Sequence, residues 1–199
     1  PPVGPPSAGD VTVAIDMGTS CTAYSFKAMN SESIAIGVPD QIQRHGINEK
    51  SPTAVLIEKR PGGMLSVLSF GAKAEGQFAA SDGSTSDGGL LFIFKEFKMA
   101  LHEHKVAYSS PDEPEVEGMG KGEGRSGLSL KALVVTSMAL GYIKDHVLEA
   151  LRISQSRLYW VVTVPAISTD FAKGFMREAA EKAGLVLPGE DVKKVRISL

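Results

Sequence analysis

The run Leu158-Tyr159-Trp160-Val161-Val162-Thr163-Val164 constrains the fold more than any other segment. It is nearly all apolar, β-branched or aromatic and is closed by Pro165, which reads as a strand covered on both faces. Ser168 or Thr169 can cap a following helix in which Phe171, Phe175, Ala179 and Ala183 fall on one stripe. Gly184 stands where a left-handed C-cap belongs. Val192 to Leu199 then begins a further strand. Strands alternating with helices imply a partly parallel sheet with helices packed on its faces.

The first half reads differently. Residues 1–10 are rich in Pro, Gly, Ser and Ala, with little to bury, and are expected to form a flexible leader. Val11, Val13 and Ile15 then alternate with Thr12, Ala14 and Asp16, a period of two that marks a strand. A Gly18-Thr19-Ser20 turn and the alternating run Thr22 to Lys27 complete a hairpin. Weaker strand patterns cover Ile34 to Val38, Thr53 to Ile57 and Met64 to Phe70, the last after a Pro61-Gly62-Gly63 turn. Ala72 to Ala80 reads as a short helix, Ser81 to Gly89 as a solvated loop, and Leu90 to Leu101 as helical. Ala107 to Gly127, dense in Glu, Gly and Pro, reads as a long excursion. Leu130 to Arg152 carries the longest helical signal, from Leu133, Leu140, Ile143, Val147 and Leu151, with Ser129 as N-cap. The fold class is mixed α/β.

Composition narrows the function classes. With 199 residues the chain is long enough to bury a core without disulfide or metal staples. Its 21 Lys+Arg against 23 Asp+Glu leave a net charge of -2, so there is no broad basic field and nucleic acid is not the expected partner. The single cysteine, Cys21, allows neither an internal disulfide nor a multi-cysteine zinc site. No apolar run has the length of a membrane span, and the expected location is cytoplasmic or nuclear. The chain starts at Pro1 and stops inside a strand pattern, so it is expected to be part of something longer.

The first candidate site is Asp16-Met17-Gly18-Thr19-Ser20-Cys21. Asp16 ends a strand and calls for a cation or donors. Gly18 permits a tight turn, after which the amides of Thr19, Ser20 and Cys21 can converge on phosphate oxygens. A magnesium ion held by Asp16 through water would suit such a cradle. The same residues also fit an ordinary hairpin turn with Asp16 bonded to its own loop. Lys98, with Lys95 beside it among Phe94 and Phe97, can present a charge to a phosphate or a water, or simply snorkel from a helix. Gly122-Glu123-Gly124-Arg125-Ser126-Gly127 matches a dinucleotide fingerprint by spacing alone and lacks the strand that should precede it. His102 and His104 diverge on a helix and read as surface residues. Cys21 has no base in nearby sequence and reads as a small, buried or amide-donating residue.

In order along the chain, Val13-Ala14-Ile15-Asp16-Met17-Gly18-Thr19-Ser20, Ser51-Pro52-Thr53-Ala54-Val55, Phe70-Gly71-Ala72-Lys73-Ala74 and Val161-Val162-Thr163-Val164-Pro165-Ala166, with a helix ending Ala183-Gly184-Leu185, resemble the seventy-kilodalton heat-shock protein family of the actin-like ATPase superfamily. Phe97-Lys98-Met99 and the divergent middle look more like its twelfth, atypical branch. The resemblance covers residues 11–199. It implies an RNase H-like first lobe of a two-lobed ATPase, with residues 52–127 as an inserted small subdomain, the second lobe absent, and ATP or ADP with Mg²⁺ bound between lobes. By that resemblance Asp16 holds the magnesium through water, and Gly18, Thr19, Ser20 and Cys21 cradle the phosphates. Lys98 matches the lysine that positions the attacking water, while Pro165 and Lys173 match the pair that couples nucleotide state to the rest of the protein. Main-family members carry a second threonine and a tyrosine where Ser20 and Cys21 stand, and an arginine in place of Lys173.

The family's Glu-Pro landmark, second phosphate loop and adenosine-binding residues would lie beyond Leu199. Phosphoryl transfer needs clamping from several sides, so this portion alone is expected to bind weakly and turn over negligibly. Client or regulatory proteins are the other expected partners, of unspecified identity. Three further readings stay open at this point: a degenerate lobe serving as a scaffold, with Asp112 to Gly127 as partner surface; a sugar or acid kinase of the same superfamily; and an RNase H-type nuclease, for which the additional metal carboxylates are not identifiable.

Overall fold

The computed structural model describes residues 10–39, 50–100, 114–122, 127–164 and 170–186, together with the backbone of Val195–Ser198. The strands are β1 (Val11–Met17), β2 (Cys21–Ala28), β3 (Ala35–Gly37), β4 (Ser51–Pro52), β5 (Ala54–Lys59), β6 (Leu65–Phe70), β7 (Leu90–Lys95), β8 (Glu115–Gly118), β9 (Leu128–Lys131), β10 (Leu158–Thr163) and β11 (Val195–Ser198). The helices are α1 (Gly71–Ala80), α2 (Ala132–Leu151) and α3 (Asp170–Lys182).

The larger sheet runs β11-β10-β1-β2-β3, with the short β4 added to the start of β2. β1 is its hinge between two kinds of pairing: antiparallel to β2 from Val11↔Ala28 to Met17↔Thr22, and parallel to β10 from Val11↔Leu158 to Ile15↔Val162. β10 and β11 are parallel, as the strand-helix-strand pattern requires. A second, antiparallel sheet runs β6-β5-β7, and β8 pairs with β9 as a separate ribbon.

Alternation along β1 assigns the faces. Val13, Ile15 and Met17 are fully buried and share one core with Leu158, Trp160 and Val162 of β10, with α2 and α3, and with Val55, Phe70, Phe94 and Phe97 around the second sheet. Each such side chain contributes about 1.5–3 kcal/mol through its removal from water. Tyr24, paired with Ile15, points to the same side and bonds His146 of α2 through its hydroxyl at 3.2 Å. The other face carries Ala14, Asp16, Ser25, Val161 and Thr163, none of them buried. β10 is therefore covered on one face among the described residues, contrary to the sequence expectation. Tyr159, Val161 and Thr163 are only partly buried, and their apolar character does not report which side the helices take.

Helix positions follow the apolar stripes. Leu133, Leu140, Ile143 and Val147 are buried on α2, and Phe175, Ala179 and Ala183 in and just after α3, with Gly184 at φ 71° as its left-handed stop. Two expectations fail. Of the stretch Leu90 to Leu101 expected to be helical, Leu90–Lys95 is instead the strand β7, Glu96 turns the chain at φ 50°, and Phe97–Met99 forms one 3-10 turn, while Leu101 lies outside the described residues. Leu91, Phe92, Ile93 and Phe94 are all buried, and a short run apolar on every side has no periodicity by which to separate strand from helix. Ser129 is not the cap of α2; it lies in β9 and donates to Glu115 across the ribbon at 2.6 Å, and the N-cap position is held by Lys131, whose side chain makes no capping bond. That ribbon also puts β8 inside the stretch expected to be an unstructured excursion.

Candidate functional site

β1 ends in a tight reversal. Met17 pairs with Thr22, and the Gly18 amide donates to the Cys21 carbonyl at 2.9 Å, so Thr19 and Ser20 alone make the connection. A Cβ on Gly18 would stand 2.7 Å from the Cys21 carbonyl oxygen, closer than real Cβ contacts come, which is why glycine is needed there.

Three carbonyls of this hairpin are held from behind. The Lys98 ammonium donates to Met17, the Thr53 hydroxyl donates to Gly18 at 2.9 Å, and the Thr53 amide donates to Ser20 at 2.9 Å. Peptide units are planar and none here is cis, so an N–H points opposite to the carbonyl it shares a peptide with. Turning the Gly18 and Ser20 carbonyls onto Thr53 therefore turns the amides of Thr19 and Cys21 away from it, to one side of the loop. Thr53 spends its only hydroxyl proton on Gly18, so its 2.8 Å contact with Thr22 is a bond donated by Thr22. Thr22 and Thr53 form a buried relay, Thr22 to Thr53 to Gly18, that fixes the loop. Neither residue stood among the candidate site residues; the Ser51-Pro52-Thr53 motif was legible, but its role depends on β4 pairing with β2, which no local pattern announces.

Lys98 is 6% exposed. Burial pushes its ammonium below the ordinary lysine range, with the nearby charge of Asp16 pulling partly back. Lys95, the competing candidate, faces elsewhere and pairs with Glu75 of α1. The 3-10 turn, rather than a helix, is what swings Lys98 under the hairpin.

Asp16, at the end of β1, has a side chain 51% exposed. The Lys50 ammonium donates to its Oδ2 at 2.8 Å and the Thr163 hydroxyl to its Oδ1 at 3.0 Å. Partial burial pushes the Asp16 carboxyl up, but the bonds from Lys50 and Thr163 and the charges of Lys50 and Lys98 outweigh it and hold the group below its ordinary value. The bond to Asp16 in turn raises Lys50. Asp16, Lys50 and Thr163 form the polar end of an open cleft of about 210 Å³, which continues along the sheet over Ala14, Ala23 and Ile36.

Cys21 is exposed, which sets aside the buried alternative and leaves the amide-donating one. Lys173 lies on α3 and pairs with Asp170 at 3.5 Å. Pro165, His102, His104 and residues 123–126 lie outside the described residues. Among the described residues no cluster of three His, Cys, Asp or Glu side chains could enclose a metal. A hydrated magnesium ion needs less, since one carboxylate with water and phosphate oxygens suffices. Asp16 offers that, and the Lys50 ammonium at 2.8 Å marks where a cation sits against it.

No protein-family model matches the chain. It is 33% identical over 197 residues to human heat shock 70 kDa protein 12B, which is 95% of this chain and 26% of that protein. Mouse heat shock 70 kDa protein 12A is 32% identical and human 12A 30% identical, each over 198 residues. The chain thus spans about a quarter of the length of these curated relatives, 26% or 27% of each.

Proposed function

From the premise that this chain resembles the heat shock 70 kDa protein 12 branch over 95% of its length, we propose that it is the phosphate-binding lobe of an ATP-binding protein of the heat-shock-70 kind. The observation that carries the reading is the pair of carbonyls, Gly18 and Ser20, held inward by Thr53. Their orientation presents the Thr19 and Cys21 amides on the outer side of the hairpin, as phosphate oxygens would need. The strand order of the larger sheet, with an antiparallel β1–β2–β3 edge followed by two parallel strands, supports an RNase H-like lobe. In this reading residues 11–199 are that lobe and residues 52–127 its inserted small subdomain.

In this reading each residue has its own part. Gly18 lets the hairpin close, and Thr19, Ser20 and Cys21 bind and orient the phosphates of ATP or ADP. Asp16 holds magnesium through water; when bound, the metal neutralises phosphate charge. Lys98 braces the hairpin at Met17, its charge acts on Asp16, and its part in this reading is to position a water near the phosphates. Pro165 and Lys173 carry the nucleotide state onward. A single lobe supplies one side of the clamp that phosphoryl transfer needs, so binding is weak and turnover negligible without the opposing side.

Isothermal titration with Mg-ATP tests this. The chain should bind Mg-ATP, and Asp16→Ala should weaken it; the absence of binding together with an indifferent Asp16→Ala variant would favour a scaffold role instead.

A further inference from the structure

Lys50 is a residue that neither the motifs nor the fold class singled out. It directly precedes β4, and the pairing of β4 with β2 places it across the open side of the hairpin. Its ammonium, on a side chain 56% exposed, meets Asp16 Oδ2 at 2.8 Å. A long flexible lysine can reach a neighbouring anion without moving its backbone, and an ammonium is a compact point charge suited to phosphate.

Resting on the nucleotide reading above, we propose that Lys50 is a built-in counter-ion of this site, one that takes the place of a divalent cation at Asp16. Asp16 alone would repel a polyphosphate. Paired with Lys50 it does not, because the carboxylate charge is neutralised before any ligand arrives. Polyphosphate binding at the hairpin then depends on Lys50 and only slightly on magnesium. Without Lys50 the site has to recruit magnesium to overcome the same repulsion.

The test is the ratio of ATP dissociation constants measured with EDTA and with excess Mg²⁺, by calorimetry or amide shifts, for the wild-type chain, Lys50→Gln and Lys50→Arg. In the wild-type chain the ratio should be within about threefold. In Lys50→Gln it should rise about tenfold or more, the worth of one charge-assisted contact, with binding in Mg²⁺ close to wild type. Lys50→Arg should restore the low ratio. Lys50 is exposed and the variants are not expected to disturb the fold. A ratio equal in wild type and Lys50→Gln, or a wild-type ratio already tenfold, overturns the proposal while leaving nucleotide binding intact. Loss of all binding by the wild-type chain in both conditions overturns the nucleotide reading and this inference with it.

Discussion

Replacing Thr53 by valine keeps the shape of the side chain and removes the oxygen on which the hairpin relay turns. The hydroxyl donates to Gly18 at 2.9 Å and receives a bond from Thr22 at 2.8 Å. Thr53 is 3% exposed and Thr22 0%, so water cannot replace what is lost at Thr22. Two hydrogen bonds at about 1 kcal/mol each, plus roughly 1 kcal/mol for a buried hydroxyl left without an acceptor, give a destabilisation of about 2–3 kcal/mol. Thr22→Val keeps the bond to Gly18 and should cost only about 1 kcal/mol. In the double variant the shared Thr22–Thr53 bond is lost once rather than twice and the orphaned Thr22 hydroxyl is gone, so its cost should fall short of the sum of the singles by about 2 kcal/mol. Urea unfolding at constant slope measures all three. Thr53→Ser, which retains the hydroxyl, should recover most of the loss. A Thr53→Val cost below about 0.5 kcal/mol, the range of inconsequential surface changes, would refute the relay and with it the reason given for the amide orientation.

Other consequences are smaller in scope. Gly18→Ala drives a Cβ to 2.7 Å from the Cys21 carbonyl oxygen; the clash should cost about 1–3 kcal/mol in urea unfolding and abolish nucleotide-induced shifts, and an unperturbed variant would count against the tight reversal. The Asp16 carboxyl, held down mainly by the bonds from Lys50 and Thr163 against the upward push of burial, should titrate below 3.8 by carbon NMR. Its stabilising contribution is present above that unfolded value and is lost as pH falls through the folded one; in Lys50→Gln the midpoint should move up. Lys98, pushed down chiefly by burial, binds its proton less tightly folded than unfolded, so wild-type stability should rise relative to Lys98→Met as pH climbs from the folded midpoint toward 10.5.

The apolar stripes of α2 and α3, the β1–β2 hairpin and the parallel pairing of β10 were legible because each follows from spacing within one element. β7 was not, because the all-apolar run of Leu91 to Phe94 fills a strand buried on both faces and carries no period. The site divides the same way. Asp16 and the Gly18-Thr19-Ser20 turn were readable locally, whereas Thr22, Thr53 and Lys50 act through the pairing of β4 with β2, a contact between positions some thirty residues apart that patterning does not encode. The choice between Lys95 and Lys98 turned on a single 3-10 turn after Glu96.

Amide chemical shifts of the chain titrated with ATP, and separately with adenosine, test the central claim most directly. The account predicts that Thr19, Ser20 and Cys21 shift with ATP, that adenosine leaves them in place, and that Thr53→Val removes the response. ATP-induced shifts elsewhere in the chain with these three amides unmoved at millimolar nucleotide, where even weak binding of about -4 kcal/mol is visible, would contradict it.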